Sequence, residues 1–124
     1  MKNNLPNLAL AILRIGASLM LLTHGIPKIE HLFADTVSFP DPLGVGATTS
    51  LTLAIIGEVI APIFILVGFR TKLAAILSMI TMLVAVLIHH SSDPFETKEK
   101  ALLFALIFFV IFLAGPGKYS IDKR

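Results

Sequence analysis

From Leu73 to Ile88 the sequence runs 16 residues without a single ionisable side chain. As a helix this stretch is about 24 Å long, close to the hydrocarbon thickness of a bilayer. Of the 124 residues, 56% are hydrophobic and 15% charged. A soluble domain of that length leaves roughly a third of its unfolded surface in water, so this chain has too little polar material to cover itself. Lipid is the solvent the composition implies. Backbone groups in lipid must be satisfied within the spanning segments, so the apolar runs predict an all-α integral-membrane protein. The chain has no cysteine, which excludes dithiol redox chemistry, thiolate metal ligands and disulfides. Its net charge is +2, from ten Lys and Arg against eight Asp and Glu dispersed along the chain. That dispersal argues against nucleic-acid binding.

Four spans are predicted, at approximately 8–26, 47–67, 72–90 and 95–115, within a single membrane domain over 1–124. The first, LALAILRIGASLMLLTHGI, is expected to end at Pro27. Arg14 inside the stretch, and the lack of a small-residue cleavage site after it, argue against a signal peptide. Residues 27–46 form the longest loop, in which Ile29, Leu32 and Phe33 make a short helical pattern suited to the membrane surface. The second span carries Glu58 and Pro62, and the proline predicts a kink near mid-membrane. The fourth has only 14 uninterrupted apolar residues, Ala101 to Ala114. A helix capped by Ser92 or Asp93 and opened by Pro94 extends it to about 30 Å before Gly115-Pro116-Gly117 stops it. Short connections predict a four-helix bundle.

Alternating spans place Lys2, Arg14, Arg70, Lys72, Lys118, Lys123 and Arg124 on or near one side, and only Lys28, Lys98 and Lys100 on the other. The excess of basic residues predicts that both termini are cytoplasmic.

At 1.5 Å per residue, Arg14 lies about 9 Å and Glu58 about 14 Å from the cytoplasmic end. An unpaired charge at such depth costs at least about 2.5 kcal/mol, so an Arg14–Glu58 ion pair inside the bundle, or a protonated Glu58, is expected rather than two lipid-facing charges. The competing reading is that Glu58 binds a ligand or relays a proton. On the first helix Arg14, Ala17, Leu21, His24 and Lys28 share one face, expected to point inward. On the third, Ala75, Ser78, Met82, Ala85 and His89 form a similar stripe. His24, Lys28, His89 and Glu99 are therefore candidates for a shallow extracytoplasmic polar pocket, with imidazoles suited to proton exchange. The simpler role for these histidines and for His90 is hydrogen bonding at the membrane interface. No metal site is predicted, because the histidines lack helical pair spacing and Lys28 opposes a divalent cation. The span hydroxyls, among them Ser18, Thr23, Ser50, Ser78 and Thr81, are read as backbone-bonded rather than nucleophilic.

Several segments resemble the DoxX family of small four-helix bacterial membrane proteins, within a wider group that includes methylamine-utilisation subunits of the MauE type. They are LRIGASLMLLTHGIPKI, the GE of the second span with LVGFRTKLAA after it, VLIHH, and EKALLFALIFFVIFLAGPGKYSID. The resemblance carries over His24, Lys28, Glu58, Arg70, His89, Glu99 and Asp122, without assigning any of them a catalytic step. It implies a multi-pass protein of the bacterial inner membrane that supports a quinone-linked redox system. The expected partners are membrane lipids, a membrane or periplasmic redox protein, or further copies of the chain. No intrinsic cofactor is expected, and a bound quinone is the candidate ligand. The alternatives are a non-catalytic scaffold or assembly partner and a small-solute transporter working as a homo-oligomer.

Overall fold

A computed structural model describes residues 4–89 and 92–123, all helical or loop. Helix α1 spans Leu5–Leu32, α2 Ala47–Ile55, α3 Ala61–Val67, α4 Thr71–Val84 and α5 Phe95–Ala114. A π-helical turn, Ile56–Ile60, joins α2 to α3, and a second, Ala85–His89, extends α4. Three units, Leu5–Leu32, Ala47–Val67 and Thr71–Ile88, are long and apolar enough to cross a membrane. Helix α5, at 20 residues, completes a four-helix-bundle-like membrane fold, although Glu96, Lys98, Glu99 and Lys100 crowd its first two turns.

Helix α1 does not end at Pro27 but continues to Leu32. A proline inside a helix costs about 3 kcal/mol through its missing N–H and its ring clash. Burial of an aliphatic side chain returns about 1.5–3 kcal/mol. The added turn packs both Ile29 and Leu32 against a cluster of Leu51, Ile55 and Val59. Both are partly buried there, and their packing works against the cost of the proline.

Pro62 also acts differently from a simple kink. It cannot donate to the Glu58 carbonyl four residues earlier, and the turn just before it widens, with the Ala61 N–H bonded to the Ile56 carbonyl five residues back. The extra residue gives the ring room, and such π turns recur at functional sites. Two glycines let neighbouring helices meet this widened backbone. A Cβ at Gly25 would collide with the Glu58 carbonyl group, and one at Gly57 with the Thr81 side chain. Ser78 Oγ donates to the Gly57 carbonyl at 2.7 Å, tying α4 to the same turn.

The main core joins Ala17 and Leu21 of α1, Ala61 and Ile65 of α3, Ala74, Ala75 and Met82 of α4, and Phe104, Ala105, Phe108 and Ile111 of α5. The five alanines of this core, on α1, α3, α4 and α5, permit the close backbone approach that holds helices together in lipid. On α4 the buried stripe follows Ala75, Ser78 and Met82 as expected, then passes to Val86 while Ala85 is only half-buried. The wider π turn accounts for that change of phase.

Helix α3 closes on Gly68 in the left-handed region, with the Gly68 and Phe69 N–H groups both donating to the Phe64 carbonyl, at 2.9 and 3.0 Å. Helix α5 begins at Phe95, where the fourth span is expected to start, with Pro94 rather than Ser92 or Asp93 at the N-cap. After α5 ends at Ala114, with Gly115 as its C-cap, residues 116–122 fold back as a strap. The Lys118 N–H donates to Asn7 Oδ1, and the Ile121 and Asp122 N–H groups donate to the Val67 and Gly68 carbonyls. The start of α1, the α3–α4 turn and the strap thus share one end of the bundle, and the 33–46 loop lies at the other.

Candidate functional site

The buried charged side chains Arg14 and Glu58 do not pair as the depth count predicts. Arg14 is 2% exposed, and its guanidinium binds carbonyls rather than Glu58. Nη1 donates to Pro116 at 2.8 Å, and Nη2 to Tyr119 at 2.8 Å and Leu66 at 3.5 Å. Glu58 instead forms an ion pair with Lys28 through Oε1. The reason is side-chain direction: bonds from Cα to Cβ on a helix tilt towards its N-terminus. Arg14 therefore reaches down to the strap, away from Glu58. Lys28, more than three turns further along α1, reaches back to the level of Gly25, where the Glu58 backbone lies against the helix. Because α1 continues through Pro27, the lysine is held on a rigid element.

Glu58 is buried and Lys28 half-buried. Each answers the desolvation of the other, and losing either partner would strand a charge in a low-dielectric setting.

The pair forms one wall of a pocket of about 380 Å³. Its sides are Leu53, Ala54 and Ile56 of the second span and Leu77, Ile80, Thr81 and Val84 of α4. Phe39, Pro40, Pro42 and Leu43 of the long loop cover one end. Asp41 fastens that cover. Its Oδ1 accepts from the Val45 N–H at 2.9 Å and the Ser50 hydroxyl at 2.7 Å, and its Oδ2 accepts from the Gly46 N–H at 2.8 Å. The Ser50 hydroxyl, followed by the Gly46 N–H, holds the Asp41 carboxyl below the ordinary carboxylate range. The volume lies within the span of small-molecule sites, and an apolar lining with a few convergent polar groups is their usual character.

The four residues expected at the outer pocket separate. Lys28 joins Glu58. His24 is exposed, with its ring edge-on to Phe104 at 6.1 Å between centroids, and Gly25 takes the inward position beside it. Glu99 is exposed on α5. The backbone of His89 closes the second π turn, while its side chain and the whole of His90 lie outside the described residues. Among the described residues no three His, Asp or Glu side chains come together to hold a metal ion.

Asp41 and the Phe39–Leu43 cover escaped the sequence reading of the site, and Asp122 entered it only through the family resemblance, without a role. Asp122 Oδ1 accepts from the Arg70 N–H at 3.1 Å, and Oδ2 from the Thr71 N–H and hydroxyl at 2.9 Å each. It caps α4 from more than 50 positions away, a relation no local pattern reveals. For Lys28 a signal did exist: Ala11, Arg14, Ser18, Leu21, Gly25 and Lys28 follow the alternating three- and four-residue spacing of one continuous helix face.

The DoxX family model matches residues 9–91, which contain most of α1, the pocket and its ion pair. The inner membrane protein YphA of Escherichia coli (strain K12) is 31% identical over 125 residues, covering 93% of this chain and 89% of that protein. No solved structure matches the chain. The length of the family match, together with this end-to-end similarity, shows that the chain belongs to the DoxX family.

Proposed function

We propose that this protein binds a quinone-type molecule drawn from the bilayer, as the membrane subunit of a quinone-linked redox system. The observation that carries the reading is the Lys28–Glu58 pair in the wall of an apolar pocket between the second span and α4. Lys28 has three N–H donors, of which Glu58 engages one, so the ammonium can also donate to a ligand carbonyl oxygen. Glu58 offers a carboxylate that accepts a hydrogen bond from a ligand hydroxyl and can take up its proton. The leucine, isoleucine and valine walls suit a ring and its apolar tail. The ligand would supply the two-electron chemistry, and a partner protein the electron acceptor or donor. The chain's residues bind, orient and handle protons.

The same reading places the protein in the bacterial inner membrane, supported by the name of its E. coli relative, an inner membrane protein. Helix α5 is the fourth crossing. Both termini are cytoplasmic, because Arg70, Lys72, Lys118 and Lys123 gather at the end that holds the start of α1 and the strap. A ligand site is favoured over a purely assembly role by the covered, lipid-side pocket.

The test is to purify the protein in mild detergent, extract bound molecules for mass spectrometry, and titrate a short-chain quinone. Saturable binding that Lys28→Met and Glu58→Gln each weaken supports the proposal. No retained quinone and no saturable binding by the folded protein refutes it.

A further inference from the structure

The opposite end of the bundle carries a second, smaller niche of about 230 Å³, lined by Arg70, Thr71, Lys72, Leu73, Pro116 and Asp122. A helix N-terminus attracts anions through its free N–H groups, but here Asp122 already occupies the first turn of α4. The helix end is therefore not what makes this niche basic. The cations around it are. Arg70 and Lys72 flank the capped Thr71, and both are exposed. The strap brings up Lys118 and Lys123, also exposed, from the far end of the sequence. Arg70 and Lys72 thus line the niche with a carboxylate whose oxygens are committed to the α4 backbone and the Thr71 hydroxyl, and Lys118 and Lys123 lie on the strap that carries that carboxylate.

Two further observations set this rim apart from a scatter of surface lysines. Arg70 and Lys123, with φ of 52° and 54°, are the non-glycine residues at positive φ among the described residues. Left-handed backbone at a non-glycine residue is strained and tends to persist where the side chain's position matters. Both cases flank the Asp122 cap. Exposed apolar side chains also accompany the cations: Phe69, whose ring lies 5.9 Å from the Arg70 guanidinium, with Leu73, Tyr119 and Ile121. Basic heads beside aromatic and aliphatic surface make the profile of a bilayer interface.

We propose that Arg70, Lys72, Lys118 and Lys123 form a binding site for the phosphate headgroup of an anionic phospholipid, with Leu73, Tyr119 and Ile121 against its glycerol and upper acyl chains. The strap is then a structural element of a lipid site, because its Asp122 cap fixes the cations on both sides. The site is independent of the quinone pocket, which lies at the other end of the bundle.

Native mass spectrometry of the detergent-purified protein, with phosphatidylglycerol and phosphatidylcholine added in equal amounts, tests the assignment. The wild-type protein should retain phosphatidylglycerol preferentially. Each cation near an anionic headgroup strengthens binding about fivefold, so Arg70→Asn with Lys72→Gln should lower that preference roughly 25-fold. Asparagine is chosen because it tolerates the left-handed backbone at position 70. Lys118→Gln with Lys123→Gln should act similarly, and Lys98→Gln with Lys100→Gln at the opposite end should leave the preference intact. Helical content measured alongside separates lost binding from lost fold. Equal retention of the two lipids by wild type overturns the proposal, as does a preference that survives the Arg70 and Lys72 changes in a folded protein.

Discussion

Replacing Lys28 with methionine preserves the aliphatic stem and removes the charge that answers Glu58. In the native protein Glu58 lies 5% exposed, on a π turn whose backbone packs against Gly25. Breaking a buried ion pair from one side costs about 3–5 kcal/mol, because the remaining charge stays desolvated or must take up a proton. Replacing both members with apolar or neutral groups of similar size is close to neutral. Lys28→Met alone should therefore destabilise the fold by about 3–5 kcal/mol, and Glu58→Gln in the same chain should restore most of that loss. Reversible unfolding in mixed detergent and SDS micelles, followed by circular dichroism, measures all four corners of the cycle. The same cycle run with Arg14→Met in place of Lys28→Met should be additive within about 0.5 kcal/mol, since Arg14 and Glu58 share no partner. A strongly coupled Arg14–Glu58 cycle beside an additive Lys28–Glu58 cycle would refute the arrangement described here.

Arg14→Met strands the Pro116 and Tyr119 carbonyls, each the acceptor of a charged hydrogen bond. A loss of about 3–5 kcal/mol and faster tryptic cleavage after Lys118 are expected, and unchanged protection of the strap would argue against its anchoring. Gly57→Ala drives a Cβ into Thr81. It should destabilise by about 1–3 kcal/mol, with part of the loss recovered by Thr81→Ala in the same unfolding assay. The Asp41 clasp has a pH signature of definite sign. Its folded carboxyl titrates below the ordinary value, so its contribution is complete above that value and is lost as pH falls through the lower, folded one. The amide resonances of Val45 and Gly46 should report a midpoint below the ordinary carboxylate range. Ser50→Ala should raise it, and Asp41→Asn should abolish it.

Residues with strong local signals were legible in the sequence. The long apolar runs define the helices, and Gly115-Pro116-Gly117 stops α5 where a helix-ending pattern should. The boundary at Pro27 failed because the decisive term is tertiary: Leu51, Ile55 and Val59 arrive from another helix to bury Ile29 and Leu32. Arg14 and Glu58 were rightly singled out as costly inside the bundle. Their partners were not recoverable from depth alone, since a long side chain carries its charge a full turn away from its Cα. His24 illustrates a finer limit. It shares an arc with inward residues, yet the adjacent Gly25 is the position where the π turn leaves no space for a side chain. The Asp41 clasp and the Asp122 cap join segments by geometry that neither hydropathy nor helix period encodes.

The strap also bears on how the protein is made. The two shortest hydrogen bonds of Arg14 run to carbonyls 102 and 105 positions further along the chain. During synthesis α1 enters the bilayer long before Pro116 and Tyr119 exist. Its guanidinium must wait in the membrane, at a cost of at least about 2.5 kcal/mol, until the final segment emerges. The first helix is thus the last to be completed, and ribosome-stalled chains that stop short of residue 116 should hold α1 in a loosely inserted state open to membrane quality-control proteases.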